Sequence, residues 1–244
     1  MIIPKVALIG TSGNRTKAYL QLMKKNNLLP SYCVIMHRDV SVLRNEAELY
    51  KQQNEEPADY YDPNEPVVVT LEECGIPYRI VETEQVNDEL VHGHVLDRDE
   101  EIWIYSGFGG QILKRPLINC GKKFLHIHPG IVPEFKGSTT IYYSLLQEGT
   151  CGASAIFLDE NIDTGPLIAK KRFRIPDQPP DMDYIFDPFI RASLLVDVLR
   201  HYSVHQTFDL TSQTPDEGET YFIIHPVLKH IAILSEVESK EGSL

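Results

Sequence analysis

The chain has 244 residues, 42% hydrophobic and 24% charged, a globular composition long enough to bury a core without disulfide or metal staples. Its net charge of −12 at pH 7 disfavours a tRNA or DNA partner, because nucleic-acid affinity comes largely from lysine and arginine neutralising phosphates. Cys33, Cys74, Cys120 and Cys151 form no CxxC pair, no stretch reaches membrane-spanning length, and MIIPKVALIG lacks the flanks of a secretory signal; the expectation is a cytoplasmic protein with reduced thiols and no membrane partner.

In chain order, KVALIG (5–10) reads as a buried strand closing on the small-residue turn TSGN, with a helix in RTKAYLQLMKKN after it. YCVIM (32–36) is a second buried strand. Residues 39–66 are polar and end in DPNEP, the composition of a partly helical surface excursion. TLEECGIP predicts a short helix ending at Gly75, followed by the strand YRIV; EIWIY (101–105) is a buried strand ending in SGFGG, and KFLHI (123–127) another that leads into HPG. Beyond it come a helix from Ser138 to a glycine stop, strands in GASAIFL and PLIAKKRFRI, and an amphipathic helix from Met182 to Tyr202 on which Ile190, Leu194, Leu195, Val198 and Leu199 recur at helical spacing. No internal repeat is present. Strands alternating with helices predict an α/β fold, Rossmann-like, with a mostly parallel sheet and helices on both faces. Ligands of such sheets sit beyond the carboxyl ends of the strands, where TSGN, SGFGG and HPG should gather.

His126 and His128 flank Ile127 at strand spacing, so their imidazoles point to one side of the sheet. LDENIDTGP (158–166) brings Asp159, Glu160 and Asp163 into a turn after another strand. A histidine acting as acid or base gains from a carboxylate that orients it, and Asp163 is placed to serve. Two bland readings stand beside this one: strand-end histidines commonly just close turns, and Asp159 is a natural turn former. Two histidines and an aspartate also suit a three-ligand metal site, although no fourth ligand or supporting pattern is visible. SGNRT and SGFGG match neither GxGxxG nor a phosphate loop, so their glycines are read as permitting close backbone approach. Lys122, Lys123 and Lys136, or Lys170, Lys171, Arg172 and Arg174, supply local basic patches for one small anion.

GFGGQILKRPL (107–117), HIHPGIVPEFKG (126–137), GASAIFLDENIDTGPLI (152–168) and SQTPDEGETYF (212–222) resemble, in order and spacing, the hallmark segments of the folate-dependent formyltransferases. That family includes methionyl-tRNA, glycinamide ribonucleotide and sugar N-formyltransferases. The HPxxxPxFKG and DxxxDTGPxI runs are specific together, and the similarity extends from Lys5 to Ile224. The resemblance implies a Rossmann-like formyltransferase that uses 10-formyltetrahydrofolate to formylate an amine. It places the family's catalytic histidine on His128, its aspartate on Asp163 and its asparagine on His126, a departure. Ile156 stands where the family often has histidine, and Gly130 where serine is common. By the same resemblance Gly107, Phe108, Gly109, Gln111, Ile112 and Leu113, with Asp159, Asn161 and Ile162, would bind the folate. Thr11, Ser12, Gly130 and Lys136 would bind the acceptor, and no metal is implied.

The resulting expectation is a catalytic domain over 1–205 with a short extension over 206–244 packed on it. The reaction is formyl transfer to a small-molecule amine, with an amino-sugar nucleotide favoured by the insertion at 41–66 and by Tyr221; a homodimer is compatible with it. Two alternatives stay open. His126 in the asparagine position could mark a drifted, noncatalytic folate- or amine-binding protein, or the HxH pair could serve a metal-dependent hydrolase.

Overall fold

The sheet is wound outward from β1 (Ile2–Thr11), whose residues Val6 to Ile9 are inaccessible to solvent. In a computed structural model describing residues 1–52, 59–214 and 217–241, with only the backbone of 235–241, seven strands form one sheet. Residues 53–58 of the polar stretch 39–66, residues 215–216 of SQTPDEGETYF and residues 242–244 of the tail lie outside that description. On one side of β1 lie β2 (Leu29–Met36) and β3 (Tyr78–Val81); on the other lie β4 (Ile102–Ser106), β5 (Lys123–His128), β7 (Cys151–Phe157) and β8 (Leu167–Phe173). β1 to β5 pair in parallel. β7 and β8 run antiparallel to their neighbours, which the alternating sequence pattern did not show. For β8 the reason lies in its connection from β7: the segment 158–166 is shorter than the dozen or so residues that a parallel crossover needs.

Helices cover both faces. α1 (Asn14–Lys25), α2 (Val40–Tyr50), α3 (Val67–Glu73) and α7 (Asp187–His205) pack one core with Leu8, Ile35, Leu125 and Ile127. α4 (Glu89–Leu96) and the single turn α5 (Arg115–Ile118) close the other over Ile9, Trp103, Tyr105 and Phe124. The period-2 alternation of β5 therefore sends Leu125 and Ile127 into the first core and Phe124, His126 and His128 to the opposite face. α2 falls in the stretch expected to be partly helical, whereas α4 was not singled out in the sequence; both carry aspartate caps: Asp39 accepts from Ser41 N at 2.8 Å and Asp88 from Leu90 N at 2.9 Å.

The helix expected from Met182 to Tyr202 is broken into a π-helical turn (Met182–Phe186) and α7. Asp181 caps the turn, and Pro188, which lacks an N–H, sits in the first turn of α7 where none is needed. After β5 the chain forms β6 (Phe135–Gly137) and α6 (Thr140–Glu148). β6 pairs with β9 (Glu219–Tyr221), and α8 (Pro226–Glu241) packs on α6, so the segment after residue 205 closes a third core around Tyr142, Phe186 and Ile224. Among the described residues no helix is long and apolar enough to cross a membrane.

Two glycines of the motif stretches are dictated by contact. A methyl group on Gly165 would lie 1.9 Å from the carbonyl oxygen of Phe157; one on Gly137, at φ 98°, would lie 2.1 Å from that of Tyr221. Gly165→Ala and Gly137→Ala are expected to cost about 1–3 kcal/mol each, since backbone must shift to admit the methyl. Gly93, in the middle of α4 with open space around it, is the control, and Gly93→Ala should gain up to about 1 kcal/mol. Urea unfolding midpoints at unchanged slope would read all three.

Candidate active site

The carboxyl ends of β4 and β5 open into a cavity of about 670 Å3 on the His126 face of the sheet. β7 runs the other way and ends beside Leu125, so the segment after it folds back across that face. This return brings Asp163 to His128. Asp163 adopts the left-handed backbone conformation, φ 55°, that aspartate tolerates better than most residues. Gln213 holds the turn by donating to the carbonyls of Asp163 (3.1 Å) and Gly165 (2.7 Å).

His128 is buried with both ring nitrogens engaged. Nε2 lies 2.7 Å from the carbonyl oxygen of Phe135 and 3.3 Å from the hydroxyl of Thr140, which itself donates to Pro129 O at 2.9 Å. A carbonyl only accepts, so Nε2 carries a proton. Nδ1 therefore faces Asp163 Oδ2, 3.2 Å away, with its lone pair in the neutral ring. Gly137 N donates to the same oxygen at 2.9 Å. Burial pushes the His128 pKa below its ordinary value, and the Asp163 carboxylate opposes that push. The pair is thus a place where one additional proton is shared.

His126 sits with ring-centre distances of 6.0 Å to Tyr105 and 6.5 Å to His128. Its Nδ1 is buried without a protein partner. Burial, then the guanidiniums of Arg191 and Arg15, hold its pKa well below the usual value. These surroundings favour the neutral imidazole.

Those two arginines were missed in the sequence. Arg191 lies on the apolar stripe of α7, four residues from Leu195, and a lone cation in such a stripe was the available signal. Its Nε donates to the carbonyl of Ile127, between the two histidines, at 2.8 Å, and it pairs with Asp187 at 3.3 Å. Arg15, in the first turn of α1, donates to Ser106 Oγ at 3.1 Å and to the carbonyl of Gly107. Burial and Arg191 lower its pKa to about 10.

Around the histidines and Asp163, the cavity wall includes Phe108, Gly109, Gln111, Ile112 and Leu113 on one side, and Asp159, Asn161 and Ile162 on another. Gln111 is held by Val86 N at 2.9 Å, and Asp159 is folded into its own turn by Asn161 N and Thr164 Oγ1, both at 3.0 Å. Thr11, Ser12, Gly107, Gly130 and Lys136, named from the sequence, are not among the residues lining the cavity. Thr11 is tied back by Thr16 Oγ1, Gly107 lies against the Tyr105 ring, and Gly130 packs on Phe135 O and Thr140. Lys136 is only 4% exposed, because the pleat of β6 turns it away from the side shown by Gly137. In their place the cavity is lined by Arg15, Arg191, Tyr105, Ser138 and the C-terminal residues Thr220 to Ile223.

His126, His128 and Asp163 bring ligand atoms within 4.8 Å of one another, a spacing open to a three-ligand metal. Against it stand the neighbouring guanidiniums and the engagement of Asp163 Oδ2 by Gly137 N; the Nε2–H of His128 on Phe135 O leaves the Nδ1 lone pair open to either role.

Residues 5–182 match the family described as formyl transferase. Methionyl-tRNA formyltransferase of Thermus thermophilus is 28% identical over 181 residues, covering 72% of this chain and 56% of that protein. The chain thus spans about half the length of such relatives. Among solved structures, a sugar N-formyltransferase from a Shewanella species aligns with a TM-score of 0.56 at 18% identity, covering 95% of this chain and 87% of that one. An N-formyltransferase of Helicobacter canadensis, solved with folinic acid and dTDP-3-aminofucose, aligns with a TM-score of 0.59 at 14% identity, covering 98% and 82%. Both show the same fold. Because the family match runs from β1 to the start of the π-helical turn and takes in His126, His128 and Asp163, this chain belongs to the formyl transferase family.

Proposed function

We propose that the protein transfers the formyl group of 10-formyltetrahydrofolate to the amine of a small substrate. The observation that carries this reading is the His128–Asp163 pair, buried and able to share a proton, lining one cavity together with His126. The acceptor nitrogen attacks the formyl carbon, the bond from that carbon to folate N10 breaks, and one amine proton passes through the His128–Asp163 pair to N10. The formyl oxygen carries negative charge in the tetrahedral intermediate. A neutral His126 donates a ring N–H to that oxygen where the family's asparagine would. Phe108 to Leu113 and Asp159 to Ile162 form the walls against which the folate ring would lie. An amino-sugar nucleotide is the acceptor this reading favours, supported by the ligand named for the Helicobacter protein; the acidic chain argues against tRNA.

Calorimetry with 5-formyltetrahydrofolate, a stable mimic of the donor, tests the reading first. Binding with a dissociation constant well below about 1 mM is expected, and its absence would sink the proposal.

With an acceptor in hand, His128→Asn and Asp163→Asn should each lower turnover on the order of a hundredfold or more, while folate affinity is retained. His126→Asn should keep turnover, because asparagine supplies the same neutral donor. It should also change acid stability. The folded pKa of His126 lies below the unfolded value near 6.5, so its contribution is complete above about pH 6.5 and is lost as pH falls toward the folded pKa. Urea midpoints measured from pH 7.5 downward should fall less steeply in the variant. A folded, folate-binding His126→Asn protein without turnover would assign His126 another role.

The hydrolase reading rests on the cluster of His126, His128 and Asp163. Elemental analysis of protein purified without chelators is expected to find no stoichiometric transition metal. About one metal per chain, lost in His128→Asn, would replace the transfer mechanism with a metal-assisted one.

A further inference from the structure

The last turn of α7 carries metal-ligating side chains about 15 Å along the helix from Arg191, and none of them lines the cavity. His201 and His205 stand about one turn apart on the same face, with 4.4 Å between their ring centres. Asp209 comes back to them, its Oδ2 lying 3.7 Å from His201 Nε2. Two ligand atoms that each sit about 2 Å from one ion lie about 3–4 Å apart, so this spacing suits a shared ion. Local structure holds the return in place. Gln206 ends the helix in the left-handed conformation, φ 56°, with its backbone N–H and its side-chain amide on the carbonyl of Tyr202. Phe208 then stacks on Tyr202 at 4.6 Å and meets Phe157 edge-on at 5.3 Å, while Thr211 exchanges backbone hydrogen bonds of 2.8 and 2.9 Å with Leu167. Asp209 is thus held between two anchors. All three side chains are exposed, and exposed rings turn readily about their side-chain bonds, so they can close on an ion whose other positions water fills. One histidine in a last turn is accounted for by the negative end of the helix. Two imidazoles and a carboxylate on one exposed face are a donor set for zinc, nickel or copper.

We infer that His201, His205 and Asp209 bind one divalent transition ion, and that the ion clasps the segment 206–213 to the end of α7. That segment carries Gln213, whose bonds to Asp163 O and Gly165 O hold the turn beside His128, so the clasp reaches the candidate site through the backbone. An ion on three exposed ligands exchanges with solvent, and it is lost when the protein is purified without added metal.

The test titrates zinc chloride and, separately, nickel chloride by calorimetry into the metal-free full chain, in a buffer that does not bind metal. The variants are His201→Gln and His205→Gln, exposed helix positions where glutamine is a good helix former, with His128→Asn as the control in the cavity cluster. Saturable binding of one ion per chain is expected, with a dissociation constant well below about 1 mM. It should weaken on the order of tenfold or more in each glutamine variant and stay unchanged in His128→Asn. Amide hydrogen exchange at Leu167 and Thr211 should slow when zinc is added to the unaltered protein, and should not respond in His205→Gln. Absence of saturable binding, or equal binding in the unaltered protein and both glutamine variants, overturns the inference. So does binding that leaves exchange at both amides unchanged. Binding lost in His128→Asn and kept in His205→Gln places the ion in the cavity, which ends this inference and reopens the hydrolase reading. Should a helix variant fail to fold, Asp209→Asn, in the exposed turn, carries the same decision: unweakened binding overturns the inference.

Discussion

One carboxylate oxygen joins three parts of the chain. Asp163 Oδ2, in the turn after β7, accepts from Gly137 N at the end of β6 and faces Nδ1 of His128 at the end of β5. Asp163 lies more than twenty residues beyond the other two in sequence. The contact exists because β7 is antiparallel, so that its outgoing turn returns over the sheet face, and because two positions without a side chain let backbones close. Gly165 lies against Phe157 O and Gly137 against Tyr221 O. The FKG and DTG segments are thus two halves of one clamp on an imidazole.

The C-terminal segment belongs to the same construction. Ser138 N donates to Tyr221 O at 2.8 Å, and the Tyr221 ring packs between Phe135 and Tyr143 at ring-centre distances of 5.6 and 4.4 Å. β9 therefore braces the strand that presents Gly137 to Asp163, and the residues after it, Phe222 and Ile223, line the cavity while remaining largely exposed. The extension read from the sequence as packing on a finished domain supplies part of the site wall.

Charge is arranged against the average of the molecule. The chain is strongly acidic, yet the site places two guanidiniums beside two imidazoles. Each lowers the cost of keeping the imidazoles neutral, since a second positive charge there would be repelled and poorly solvated. Arg191 performs a mechanical task as well. Its bond to Ile127 O fixes the backbone between the two histidines from α7, which packs in the core with Leu125 and Ile127.

The order of strands and helices was legible because it is written in local periodicity: the 2-residue alternation of KFLHIH put both histidines on one face, and apolar runs marked the strands. The family was legible because close backbone contacts demand glycine and proline at fixed spacings, and these demands survive as strings such as FKG and DTGP. What the chain alone left undecided depends on distance through space. The direction of β8 against β7 is set by a connection too short to cross over, Lys136 is hidden by a pleat, and Gly130 is covered by Phe135 O. Arg15 and Arg191 acquire meaning only where α1 and α7, more than 170 residues apart, meet the ends of β4 and β5. Sequence order records which groups are present; burial and the neighbouring charges, which only the tertiary structure sets, decide which of them carry a proton.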